Sequence, residues 1–220
     1  MGIHVVSVAD EDWADSEIRG PALAALPGEL ERRGLGRLPE RPAALPGTAA
    51  ARAAGRGPGL LGRLGLRRRP AARGGPADRF REQADRPYGA FEALCRAQPD
   101  GSRLYDALLD WELLVPVDFT GVLELAVPAE PGGGGARVRS AHRAAEAARR
   151  LAAVLELPDC VPCDGGPLAL TGWFAGGAAG RAAAAHPGPW QEAPDAAYYT
   201  ALYLGAAEHS LRRGRVIAYG

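Results

Sequence analysis

Reactive side chains are sparse in this chain. Cys160-Val-Pro-Cys163 sets two thiols at the spacing of a redox pair or half of a zinc site. A redox pair normally opens a helix after a strand, whereas this one follows a predicted helix and runs into Asp164-Gly-Gly. There is no second CxxC, and Cys95 is the only other thiol. Cys160 and Cys163 are therefore read as two incidental loop cysteines, with a metal site as the alternative; no cofactor is expected. The histidines are His4, His142, His186 and His209, none in an H-x-x-x-H pair. His142 stands one turn from Glu146, the spacing of a solvated ion pair. His209 shares a helical face with Tyr198 and Leu202, which points to a buried histidine with a structural role and leaves a catalytic one as the alternative.

Asp10, Glu11 and Asp12 follow the first predicted strand, with Trp13 beside them. Carboxylates at a strand end can hold Mg²⁺ or act as acid and base, though adjacent acids more often make a solvated turn. Trp111-Glu112 and Trp190-Gln191-Glu192 pair an aromatic with an acid. Trp13, Trp111 and Trp190 are thus candidates for lining a pocket or a partner surface, and equally for the edge of the core. No glycine-rich stretch follows a nucleotide-binding pattern.

The elements that must position these residues are clearest at the C-terminal end. Pro194-Asp195 suits a helix start, Arg212 and Arg213 suit its negative end, and Gly214 suits a left-handed C′ residue. Arg215–Tyr219 then reads as a short strand. Ser140–Leu157 is the best amphipathic helix. Ala141, Ala144, Ala145, Ala148, Leu151, Ala152 and Leu155 form its apolar stripe, Ser140 is its expected cap, and Pro158 is its stop. Strands are predicted over Gly2–Val8, Leu113–Phe119 and Val122–Val127. Asp118 and Gly121 suit a type I turn between the last two, and Pro116 suggests an edge or bulged strand. Short helices are expected over Pro87–Gln98 and Ser102–Trp111, the second capped by Ser102. A further one, over Ala22–Arg33, is interrupted by Pro27-Gly28. Leu168–Phe174 reads as a helical turn or short strand, and Gly176–Pro189 as a Gly/Ala loop.

Charge is balanced overall and uneven in place. All 26 basic residues are arginine, against 26 acidic ones, and 30 glycines and 19 prolines accompany them. That pattern fits a GC-rich bacterial genome, in which arginine fills positions that lysine would otherwise hold. Arg41–Ala77 carries eight arginines with no acidic and no aromatic residue. It buries too little apolar surface to offset its ordering entropy, so it is predicted to be disordered. No basic-then-apolar leader, no membrane-spanning run and no disulfide framework is apparent, which makes a cytoplasmic protein the expectation.

Met1–Val8, Tyr105–Trp111 (YDALLDW), Ser140–Leu157 and Tyr198–Tyr219 together resemble small bacterial proteins of the YfbM-like type. That resemblance implies an α+β fold and no established activity, and it carries over no catalytic residue.

The expectation is one α+β domain built from residues 1–33 and 78–220. A small mixed or antiparallel sheet packs with two main helices, and 34–77 forms a disordered basic insert. The function expected is a cytoplasmic binding or interaction module without catalysis. The alternative is a small hydrolase-type enzyme with His209 and Asp12 in its site. Expected partners are a protein and, through weak electrostatic contact of 41–77, anionic lipid or nucleic acid. Deleting 41–77 should change unfolding free energy by no more than about 1 kcal/mol, because closure entropy varies slowly with loop length. Denaturant unfolding of the full and shortened chains checks this, and a larger loss would mean that the insert docks on the domain.

Overall fold

The computed structural model describes residues 3–7, 19–39, 79–126, 135–163 and 166–219. In chain order the elements are β1 (Ile3–Ser7), α1 (Arg19–Arg32), β2 (Arg81–Ala84), α2 (Gly89–Arg96), α3 (Gly101–Leu108), β3 (Leu113–Val115) and β4 (Leu123–Ala126). They continue with β5 (Gly135–Ser140), α4 (Ala141–Val154), α5 (Ala169–Ala175), α6 (Gly177–Ala185), α7 (Pro189–Glu192), α8 (Pro194–Arg213) and β6 (Ile217–Tyr219). The fold is α+β, as expected. One mixed sheet runs β2-β1-β6-β3-β5-β4, antiparallel except for the parallel pair β3–β5. Among the described residues, no helix is long and apolar enough to cross a membrane.

Strand alternation divides the core in two. Val5, Leu114 and Ile217 face the layer that contains α2, α3, α4 and α8. Leu113, Val115, Leu123, Leu125, Val138 and Ala218 face the other way, toward Ala22, Leu26 and Leu30 of α1. Those three residues recur every fourth position on one helix face. Pro27 and Gly28 lie on the exposed side, so α1 runs through them without the expected interruption. Leu35 and Leu38, partly buried, pack on the same core. Residues 40–77 lie outside the described residues.

Helix α8 is buried along most of its length. Five alanines of α4 and the small residues Ala197, Ala201 and Gly205 of α8 are buried in the same layer, which permits close helix packing. The tyrosines of α8 hold the chain between β2 and α2. The Tyr198 hydroxyl donates to the Gln83 carbonyl at 2.9 Å, and the Tyr199 hydroxyl to the Arg86 carbonyl at 2.8 Å. Burial raises the Tyr199 pKa to about 12 and raises that of Tyr203 as well. Glu82 of β2 is buried and accepts the backbone N–H groups of Leu170 (2.9 Å) and Thr171 (3.0 Å), so a strand side chain caps α5.

Several local expectations are corrected. β3 is interior rather than an edge, because it stops at Val115, one residue before Pro116. It does not pair with β4; β5 lies between them. The predicted Gly/Ala loop contains α6, an alanine-rich helix whose Ala182 is buried. Asp100, not Ser102, is the N-cap of α3. Ser140 is the N-cap residue of α4, yet its side chain makes no capping bond. Glu146 pairs with Arg143 rather than His142.

A β-carbon at Gly205 would lie 2.4 Å from the Cys163 carbonyl oxygen and 3.3 Å from the Phe80 ring. Gly205→Ala should therefore cost about 1–3 kcal/mol by overpacking, a fall of roughly 2–4 °C in melting temperature per kcal/mol. Calorimetry checks this, and an unchanged melting temperature would show that α8 does not approach the Cys163 backbone this closely.

Candidate functional site

β5 alternates Ala136 and Val138, which face α1, with Arg137 and Arg139 on the opposite side. The strand passes into α4 with no intervening loop residue. Arg137 forms an ion pair with Asp110, and its backbone N–H donates to the Glu112 carboxylate. Arg139 has no such pair among the described residues. Only 8 % of its surface is exposed, and its Nε has no hydrogen-bond partner among the described residues. Burial holds its pKa below the ordinary arginine value; the charges of Asp106 and Asp110 oppose that shift, and Arg137 adds to it.

Ser140 follows, with 2 % exposure and a hydroxyl likewise without a partner. It occupies the N-cap of a 14-residue helix and leaves the first-turn N–H groups without a side-chain cap. No acidic residue stands in that first turn; His142 and Arg143 occupy the positions where carboxylates would suit the helix dipole. This helix end is electropositive by charge, by dipole and by uncapped donors.

Arg139, Ser140 and Arg143 line a cleft of about 530 Å³. It opens at the carboxyl ends of the parallel strands β3 and β5, whose last residues Val115 and Ser140 are in register. That is where open sheets with parallel strands commonly place ligands. Arg103, Leu104, Asp106 and Ala107 of α3 form one wall, Arg143, Glu146, Ala147 and Arg150 of α4 the other, and Thr120 and Gly121 close one end. Gly121 has φ +81°, which glycine adopts without strain.

Four arginines and three carboxylates line the cleft. Arg143 is held by Asp118 at 3.0 Å and Glu146 at 3.3 Å. Arg150 is held by both oxygens of Asp100, one at 2.8 Å, and its guanidinium keeps the Asp100 carboxyl below its ordinary pKa. These exposed pairs shape the rim and add little stability. The arrangement offers hydrogen-bond donors and positive charge to a ligand in a partly desolvated recess. That is the chemistry of anion recognition.

Among the described residues, the site candidates singled out from the sequence lie elsewhere. His209 is 7 % exposed, with its ring 5.6 Å from that of Phe80. Trp111 is buried; its Nε1 donates to the Leu108 carbonyl at 2.9 Å and its ring meets Tyr203 and Tyr219. Trp190 is buried beside Trp173, with Nε1 donating to the His186 carbonyl at 3.0 Å. Both indoles serve the core and do not line the cleft. Cys160 is exposed and Cys163 half-buried, and no group of three or more His, Cys, Asp or Glu suited to a metal occurs among the described residues. Asp12 and Trp13 lie outside the described residues. The sequence reading missed Arg139. The signal was the alternation Ala136-Arg-Val-Arg139 running directly into a helix.

The chain matches no family model, no curated protein and no solved structure.

A buried guanidinium whose Nε has no acceptor is costly. Arg139→Met should raise stability by about 1 kcal/mol, or roughly 2–4 °C in melting temperature. Thermal unfolding in a buffer of weakly binding ions checks the sign. A loss of several degrees would show that Arg139 is held by the protein itself.

Proposed function

We propose that the chain is a binding module, without catalysis of its own, for a small anionic ligand taken into the cleft between α3 and α4. One observation carries the reading: Arg139 Nε and Ser140 Oγ are both buried, both without a partner among the described residues, and both belong to residues lining an open cleft at a helix N-terminus. Proteins keep such groups unsatisfied at a cost to stability, and a ligand that supplies acceptors repays it. The cleft has the volume of a metabolite site. Its lining contains guanidinium, hydroxyl and carboxylate groups and, among the described residues, no histidine or cysteine.

The setting of this module in our reading is the bacterial cytoplasm, supported by the sequence composition. A protein partner belongs to the same reading. So does a weak, salt-sensitive contact of 41–77 with anionic lipid or nucleic acid, for which the eight arginines are the support.

Thermal unfolding of the full chain with phosphate, sulfate or acetate, at matched ionic strength, tests the proposal. At least one anion should stabilise the protein, by about 2.7 kcal/mol when its concentration is about 100 times its Kd. Arg139→Met should abolish that response while remaining folded. An equal response in wild type and variant, or none to any anion, would overturn it.

A further inference from the structure

Resting on that reading, we infer that the ligand is a hydroxylated phosphate monoester: a dianionic phosphoryl group on Arg139 and Ser140, with a hydroxyl-bearing body directed to Asp106.

Charge pairing gives the first argument. Of the four arginines in the cleft, Arg143 is taken up by Asp118 and Glu146, and Arg150 by Asp100. Arg103 and Arg139 make no ion pair among the described residues. These two guanidinium groups, Arg139 buried and Arg103 exposed at the rim, are placed to take the two charges of a dianion, with Asp106 as the one lining carboxylate outside an ion pair among the described residues. Geometry gives the second. Donors reach the recess from a guanidinium, a serine hydroxyl and the uncapped first turn of α4. A phosphoryl group presents three terminal oxygens in three directions and can serve all of these, whereas a planar carboxylate serves two in one plane.

Asp106 gives the third argument. It lies on the exposed side of α3, forms no ion pair among the described residues, and lines both this cleft and a second groove of about 450 Å³. An ionised carboxylate only accepts hydrogen bonds. It repels a bare anion and favours one that brings a donor, such as a hydroxyl on the carbon chain next to the ester. The second groove continues past Ser102 and Tyr105, where Arg96 covers the Tyr105 ring at 5.6 Å. A ligand body leaving the phosphoryl group at Asp106 therefore has space to occupy. No bond is made or broken in this proposal.

Calorimetric titration of the full chain with glycerol phosphate, methyl phosphate, dimethyl phosphate and acetate at one ionic strength tests it. Glycerol phosphate should bind about tenfold tighter than methyl phosphate, and methyl phosphate about tenfold tighter than the monoanionic dimethyl ester or acetate. Asp106→Ala, at an exposed position that the fold tolerates, should bring glycerol and methyl phosphate within about twofold without weakening methyl phosphate. Arg103→Ala should remove most of the preference for dianion over monoanion. Equal affinities for methyl phosphate, dimethyl phosphate and acetate, with Arg139-dependent binding intact, would overturn the phosphate assignment and leave anion binding standing. A full glycerol preference retained in Asp106→Ala would overturn the role of Asp106. Absence of binding by all four probes would overturn both readings.

Discussion

Six strands become one sheet through Ile217–Tyr219. β6 pairs with β1 on one side and with β3 on the other, so the antiparallel pair β2–β1 joins β3, β5 and β4 only across these three residues. Their placement is fixed by the end of α8. Gly214 takes φ +61° at the helix C-terminus, and the Ser210 hydroxyl donates to the Arg215 carbonyl at 2.6 Å. The chain thereby reverses within a few residues and lays Ile217 and Ala218, both buried, against opposite core layers. A short strand can hold a central place because α8 behind it is itself buried. Hydrophobic burial of the helix supplies what so few ladder hydrogen bonds do not.

The cleft follows from that order. β6 occupies one side of β3, so β3 receives β5 on the other, and the parallel register brings Val115 and Ser140 to the same level. Helix α4 begins at once, and its N-terminus faces the connection leaving β3. Arg139, one residue earlier, must point to the layer opposite Val138. Burial among the apolar residues of that layer desolvates the guanidinium and lowers its pKa. Neighbouring Arg137 lies on the same strand face, and its Nε is likewise buried without a partner among the described residues, but its terminal guanidinium nitrogen pairs with Asp110. What separates these two arginines, two residues apart on one strand, is that Arg137 carries an ion pair and Arg139 carries none among the described residues.

Legibility in the sequence tracked the strength of local signals. The unit from Pro194 to Tyr219 was readable because proline, glycine and the two arginines mark its ends and the helix is apolar almost all round. α4 was readable from its alanine stripe. β2 was not, since Arg-Glu-Gln-Ala has the composition of a turn, and its one buried polar residue, Glu82, is satisfied by a helix 88 residues away. β5 was hidden because only Ala136 and Val138 carry its apolar face. The site was hidden for a related reason. In a chain whose every basic residue is arginine, Arg139 carries no compositional signal, and Ser140 reads as an ordinary helix cap. Only the three-dimensional pairing shows that one lacks an acceptor and the other caps nothing. Trp111, Trp190 and His209 attracted notice by residue type, and their environments are those of core side chains.

The central claim is that Arg139 and Ser140 are kept for an anion. A crystal structure of the full chain grown with selenate, located by its anomalous scattering, tests this most directly. The account predicts an anion within about 3.2 Å of both Arg139 Nε and Ser140 Oγ, at the first turn of α4. Selenate found only at exposed arginines, with Arg139 Nε donating to a protein acceptor, would contradict it.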